Sequence, residues 1–341
     1  MAIRSAIGGL AKGVLLGSVG MYAAAEAVRQ VDYRRSKAEA RSFPSLPRGE
    51  GREDIRSQDG TPLYVDYCGE GPTVFLVHGL ACNNTIWRYQ KAFLSENYRV
   101  VAPDLRGHGK SGVPESRDHS TERLAEDLQA VLEAFDPQEF VIVGHSMGGF
   151  TTFKWYERFG ENYRGRLKGI VFVDSSGVDV AEGIVMGNLV KRFYPDPLAK
   201  VLTYWKEDNR LAQKIMDIYG KSALGYLFAR YVAFGKRPPA EEVEFQRELM
   251  FATRLPCFAL ASKACLDYHM DPASLSSMDV PVLILVGSED RLTAQRSSER
   301  TCEMLPRARL KVYEGRGHDT MLECPEEVNR EIGGFLKECF A

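Results

Sequence analysis

Short apolar runs recur along the chain, separated by stretches in which apolar residues fall at helical spacing. Thr73–His78 (TVFLVH), Arg99–Ala102 (RVVA), Phe140–Val143 (FVIV), Gly169–Val173 (GIVFV), Val282–Val286 (VLILV) and Leu310–Tyr313 (LKVY) predict strands. Most are apolar throughout rather than alternating, as a strand covered by helices on both faces requires. Between them, Leu124, Leu128, Val131, Leu132 and Phe135 predict an amphipathic helix behind the capping residues Ser120 and Thr121. Strands alternating with helices predict an α/β fold with a mainly parallel, helix-covered sheet. Ligands of such sheets bind outside the carboxyl ends of the strands.

The rhythm breaks between GIVFVDSSG and VPVLILVG. Residues 178–279 read as helical and rich in large apolar groups, among them Tyr219, Tyr226, Phe228 and Tyr231, with Pro195, Pro197, Pro238 and Pro239 as breaks. We expect an inserted helical lid there, between core segments 51–177 and 280–341.

Residues 1–50 form a different kind of segment. The first 25 residues contain no acidic side chain, and Gly9, Gly13 and Gly17 recur every four residues, with Gly20 and Ala24 continuing a small-residue stripe. Ser5 to Ala25 is long enough to cross a bilayer, although Lys12 within it would cost about 2.5–3.5 kcal/mol at mid-membrane unless it snorkels. A membrane-associated helix over residues 5–28 is the expectation, with a cleaved targeting segment as the rival. Arg29, Arg34, Arg35, Lys37 and Arg41 follow the segment, against Arg4 before it, so a spanning helix would leave the catalytic domain facing the cytoplasm. The Pro-containing stretch 42–50 is expected to be a linker, with the globular part starting near Gly51.

Composition narrows the class. Across 341 residues, 44 % are apolar, enough for a large core, and the formal net charge is −2. Lys and Arg are scattered, so nothing indicates a nucleic-acid footprint. Seven cysteines without CxxC or Cys/His ligand spacing predict reduced thiols rather than a disulfide framework or a zinc site.

The candidate chemistry sits at strand ends. Gly144-His145-Ser146-Met147-Gly148 fits G-x-S-x-G between a strand and a helix, the context of a nucleophile elbow. A hydroxyl needs a base. Of the six histidines, His318, in GRGHDTMLECPEEV between the last strand and the closing helix, can reach the Ser146 edge. His78 and His108 lie in Gly-flanked turns, His119 in a polar stretch expected at the surface, and His269 where the lid returns to the core, most simply exposed. His145 should point away from the site. A carboxylate must orient the base, and Asp290 in GSEDRLT leads, with Asp174 as the rival. Oxyanion donors are expected from the backbone N–H of Met147 and of Leu80, or else of Ala81.

Taken together, LVHGLACN, APDLRGHGKSG, VGHSMGGF, VGSEDRLT and GRGHDTMLECPEEV resemble the α/β-hydrolase superfamily over residues 52–341, most nearly its lidded esterases, lipases, cofactor-free haloperoxidase-like proteins and carbon–carbon bond hydrolases. The resemblance implies Ser146, Asp290 and His318 as a catalytic triad, with the Leu80 and Met147 amides as oxyanion donors. It implies structural roles for Asp104 and for Arg106 to Gly109. It requires no cofactor or metal. Haloalkane dehalogenases and epoxide hydrolases carry Asp at the elbow, and dienelactone hydrolases Cys, so those relatives are excluded. The expected activity is hydrolysis of a small carboxylic ester with an apolar acyl group through an acyl-enzyme. Acyl transfer, carbon–carbon or amide cleavage by the same triad, and a non-catalytic binding role, are the alternatives.

Overall fold

Among the described residues eight strands form one sheet, in the order β1 (Glu50–Arg56), β2 (Pro62–Cys68), β4 (Arg99–Pro103), β3 (Thr73–Val77), β5 (Phe140–His145), β6 (Leu167–Val173), β7 (Val282–Gly287), β8 (Ala308–Tyr313). The computed structural model describes residues 20–37, 49–178 and 209–341. The linker expected at 42–50 falls largely, and residues 1–19 of the N-terminal segment wholly, outside the described residues, as does 179–208 of the expected lid.

Strands β3 (Thr73–Val77), β4 (Arg99–Pro103), β5 (Phe140–His145), β6 (Leu167–Val173), β7 (Val282–Gly287) and β8 (Ala308–Tyr313) coincide with the apolar runs. All run parallel in the pairs β4·β3, β3·β5, β5·β6, β6·β7 and β7·β8. Two strands were not expected. β1 (Glu50–Arg56) and β2 (Pro62–Cys68) form an antiparallel hairpin that extends the sheet beyond β4. β1 reads EGREDIR, with Ile55 as its one large apolar residue, so an apolar-run criterion passes over it.

Each sheet face is buried under its own apolar layer. One holds Phe75, Ile142, Phe172 and Ile284 with Leu124, Leu128 and Trp155. The other holds Val74, Val141, Val171 and Leu283 with Ile86, Val328, Ile332 and Phe335. Neighbouring positions on one strand thus go to opposite layers, which is why these strands carry no polar face.

Helix α1 spans residues 20–37, followed by α2 (Arg88–Leu94), α3 (Thr121–Phe135) and α4 (Met147–Phe159). Ser120 Oγ accepts from Arg123 N to cap α3, as its position predicts. Between β6 and β7 come α5 (Arg210–Gly220), α6 (Ala223–Ala233), α7 (Ala240–Ala252), α8 (Leu255–Asp267) and α9 (Pro272–Ser276). The chain closes with α10 (Gln295–Met304), the short α11 (Thr320–Glu323) and α12 (Pro325–Cys339).

Helix α1 docks on the inserted helices. Asp32 accepts from Arg230 Nε at 2.6 Å and from Tyr226 Oη at 3.1 Å, and both donors belong to α6. Arg29 Nε donates to Glu244 of α7 at 2.9 Å, and Ser36 Oγ accepts from Ala240 N at 2.7 Å. Among the described residues, no single helix is long and apolar enough to cross a membrane.

Candidate active site

β3 pairs with β4 on one side and β5 on the other, so the chain changes winding direction at β3/β5. The crevice outside such a switch point is where open α/β sheets hold ligands. The loops leaving β3 and β5 carry His78–Cys82 and Ser146.

Ser146 sits at φ 51°, a left-handed conformation that L-residues rarely adopt outside strained turns. The adjacent glycines are required by space. A Cβ on Gly148 would lie 2.1 Å from Val77 O, and one on Gly144 would lie 2.7 Å from Gly148 O. Strand and helix can therefore meet at this angle only without side chains at those points. Ser146 O accepts from Gly149 N and from Ser175 Oγ, which pins the turn. The side chain is left half-buried on the wall of a cavity of about 310 Å³ that His318 also lines. Among the described residues Ser146 Oγ makes no hydrogen bond of its own; in ligand-free sites such contacts commonly tighten only around substrate.

His318 Nδ1 lies 2.9 Å from Asp290 Oδ2, and both side chains are buried. Asp290 Oδ1 accepts from Leu292 N at 2.8 Å and Thr293 N at 2.9 Å, so the carboxylate is held by its own turn. Burial alone would favour the neutral ring, but the charge of Asp290 and its hydrogen bond raise the His318 pKa to about 9. Asp174, the rival carboxylate, has other partners: it accepts from Gly287 N, Thr320 N and Thr320 Oγ1 at 3.0, 2.9 and 2.6 Å. It ties the loops after β6, β7 and β8 together, and burial and the charge of Asp290 push its pKa well above the ordinary carboxylate range.

The loop after β3 is shaped by His78. Its Nε2 accepts from Leu105 N at 2.9 Å, leaving Nδ1 to donate to Gly79 O at 2.8 Å. Burial lowers its pKa to about 4, so it stays neutral and holds one tautomer. Leu80 and Ala81 follow on the cavity wall, Ala81 at φ 55°. The Leu80 N–H has no acceptor among the described residues, and Met147 is the first residue of α4, where helix N–H groups lack intrahelical partners. Both amides are thus available to an oxyanion.

The neighbouring loop is a scaffold. Asp104 accepts from Asn84 N at 2.7 Å and Lys110 N at 2.8 Å, and Gly109 at φ 53° leaves room for that carboxylate. Arg106, fully buried, makes a bidentate pair with Asp127 at 2.6 Å for each bond and reaches Asp59 at 2.9 Å.

Two expectations about histidines need correction. His119 is only 3 % exposed, because the chain folds it beneath the lid, close to where Gly107 meets Cys257 of α8. His145 does not turn away from the site. Its ring lies 5.0 Å from that of His318, its Nε2 donates to His318 O at 3.1 Å, and it lines the cavity. His269 is exposed, as expected.

The sequence reading missed Thr293. Its Oγ1 lies 2.8 Å from both Asp290 Oδ2 and Asp174 O, and 3.3 Å from His318 Nδ1. The three-residue spacing after Asp290 in GSEDRLT was the available signal. All seven cysteines are free thiols.

The chain matches the model of the Alpha/beta hydrolase family over residues 74–331. It is 25 % identical over 289 residues to non-heme chloroperoxidase CPO-A1 of Kitasatospora aureofaciens, covering 83 % of this chain and 98 % of that one. A putative aryl esterase from Burkholderia cenocepacia superposes with a TM-score of 0.66 at 26 % identity, covering 86 % of this chain and 99 % of the other. A structure described as a bacterial membrane phospholipase A superposes with a TM-score of 0.67 at 20 % identity and covers 97 % of both chains, a likeness of fold. With the parallel sheet, the left-handed Ser146 and the matched span all in agreement, this chain belongs to the α/β hydrolase family.

Proposed function

We propose that the protein is a serine hydrolase of carboxylic esters in which Ser146 is the nucleophile, His318 the general base and acid, and Asp290 the carboxylate that orients it. The observation that carries this reading is the 2.9 Å contact of His318 Nδ1 with Asp290 Oδ2 in the wall of the cavity that exposes Ser146. Ser146 Oγ attacks the acyl carbon while His318 Nε2 takes its proton. Asp290, bonded to Nδ1–H, keeps Nε2 unprotonated beforehand and stabilises the imidazolium afterwards. The Leu80 and Met147 amides receive the developing oxyanion. His318 then protonates the leaving alcohol, and water, activated by the same ring, releases the acid. The solved esterases with this fold support ester chemistry.

An apolar acyl group fits the cavity, whose walls include Phe150, Phe228, Val232, Met250 and Phe258. The test is a series of p-nitrophenyl esters of increasing chain length. Hydrolysis should be abolished by Ser146→Ala and should favour medium over acetyl chains; turnover that survives the substitution would sink the reading.

We further propose that the segment before α1 holds the enzyme at a membrane, with the catalytic domain on the cytoplasmic side. Ala25 is buried against the protein and Arg29 is paired with Glu244, so a lipid-embedded stretch would end before Ala25, where Met21 and Tyr22 are exposed. The similarity to a membrane phospholipase A along 97 % of both chains is in keeping with this. Full-length protein should stay with membranes through alkaline extraction; release into the supernatant would contradict the anchor.

A further inference from the structure

Next to His318 stands a carboxyl group that the proposed chemistry does not use. Asp319 is fully buried, lines the same cavity, and neither of its oxygens has a hydrogen-bond partner among the described residues. His145 Nε2 lies 3.5 Å from Asp319 Oδ1, but its proton is already directed to His318 O. The backbone fixes the carboxyl in place: the N–H groups of His318 and Asp319 both donate to Ala233 O at the end of α6, at 2.8 and 3.0 Å.

Two further polar groups share this part of the wall. Gln246 of α7 is buried and lines the cavity, and among the described residues both ends of its amide are bonded to one weak partner, the Cys82 thiol: Nε2 lies 3.5 Å from Sγ and Oε1 3.8 Å from it. Cys82 follows the expected oxyanion loop and is held as a neutral thiol by burial and by the nearby Asp319. A buried carboxyl with no partner among the described residues, beside a buried amide bonded to a thiol and on the wall of a largely apolar cavity, costs free energy unless something in the cavity bonds it.

Resting on the ester-hydrolase reading, we propose that Asp319, with Gln246, forms a subsite that hydrogen-bonds one uncharged hydroxyl carried by the otherwise apolar substrate. Burial raises the Asp319 pKa to about 8, so at neutral pH the group is chiefly the acid, which both donates and accepts, as a hydroxyl does. An anion has no place there, because Glu323, Asp290 and Glu242 lie near enough to affect Asp319, and a carboxyl that is chiefly the acid offers no charge to pair with a cation. The subsite makes the enzyme selective for hydroxylated over plain acyl chains, since a plain chain leaves the carboxyl without a partner.

The experiment uses the full-length protein and matched pairs of p-nitrophenyl esters, plain and monohydroxylated at successive carbons of the acyl chain. At one carbon position the hydroxyl should raise kcat/KM by about tenfold or more over the plain ester. Asp319→Leu should erase that ratio, whereas Asp319→Asn, which keeps a donor and an acceptor, should retain most of it. The ratio is internal to each variant, and fluorophosphonate labelling of each variant shows that its site is folded. If Asp319→Leu does not fold, Gln246→Leu should lower the ratio in its place. A wild-type enzyme that favours no hydroxylated position, or a ratio that survives Asp319→Leu, overturns the subsite. An equal fall on both esters of a pair also overturns it, since that makes Asp319 a positioning group for His318. Ser146-dependent hydrolysis of plain esters without any hydroxyl preference defeats the subsite alone; absence of Ser146-dependent hydrolysis defeats the ester-hydrolase reading and the subsite with it.

Discussion

His318 Nδ1 and Asp290 Oδ2 meet at 2.9 Å although 28 residues separate them, because parallel strands β7 and β8 bring the loops that carry them side by side at one end of the sheet. The pairing has a direct consequence for pH. His318 acts as a base only when neutral, and its pKa is raised to about 9 from the ordinary value of about 6.5. We predict that kcat/KM rises with pH along a limb lying above 6.5. Thermal stability should move the other way. A raised histidine pKa stabilises the fold fully below the unfolded value, and that contribution is lost as pH rises through the folded one. A pH–rate profile and a pH series of Tm measure the two trends.

Replacing the carboxylate tests its identity. Asp290→Asn keeps the shape but no longer favours the Nδ1–H tautomer, and should lower kcat by up to about 10⁴-fold and shift the pH limb downwards. Asp174→Asn should instead act on stability, by about 1–3 kcal/mol, because its oxygens bond Gly287 N and Thr320 rather than His318. Circular dichroism melts and steady-state kinetics of the two variants separate these roles.

Thr293 is a positioning residue. Thr293→Val preserves shape but removes the hydroxyl 2.8 Å from Asp290 Oδ2, loosening the hold on that oxygen while the backbone bonds to Oδ1 remain. We expect kcat to fall by about tenfold, with KM little changed and the pH limb displaced; Thr293→Ser should restore both.

Helix α1 should matter to the site as well as to any membrane. Asp32 is nearly buried and bonds Arg230 and Tyr226 of α6, the helix that also supplies Phe228, Val232 and Ala233 to the cavity wall. Asp32→Ala should lower stability by about 1–3 kcal/mol, since it leaves the Tyr226 hydroxyl buried without that acceptor. It should also raise KM for the longer esters more than for acetyl esters. Tm and the chain-length dependence of KM in detergent measure both effects.

The parallel strands could be read from the chain because strands buried on both faces need apolar residues at every position. Ser146 could be read because a serine between glycines, after such a strand, fits one local geometry. β1 was hidden by its polar, edge-strand composition. His119 looked superficial within ESRDHSTER, and only the lid arriving from far along the chain buries it. The direction of His145 is hidden from the local sequence for a related reason: it depends on His318 O, a partner 173 residues away. Asp319 and Gln246 carry no spacing signal at all, since their common cavity exists only once α6 and α7 have closed over the strand ends.

Ser146 is proposed to form a covalent acyl intermediate with the help of His318. Peptide mass spectrometry of the full-length protein after brief exposure to a fluorophosphonate tests it most directly. A single adduct is expected on the Ser146 peptide, absent in Ser146→Ala and formed at least about a hundredfold more slowly in His318→Ala. A folded protein that gains no adduct, or gains it on another residue, would contradict it.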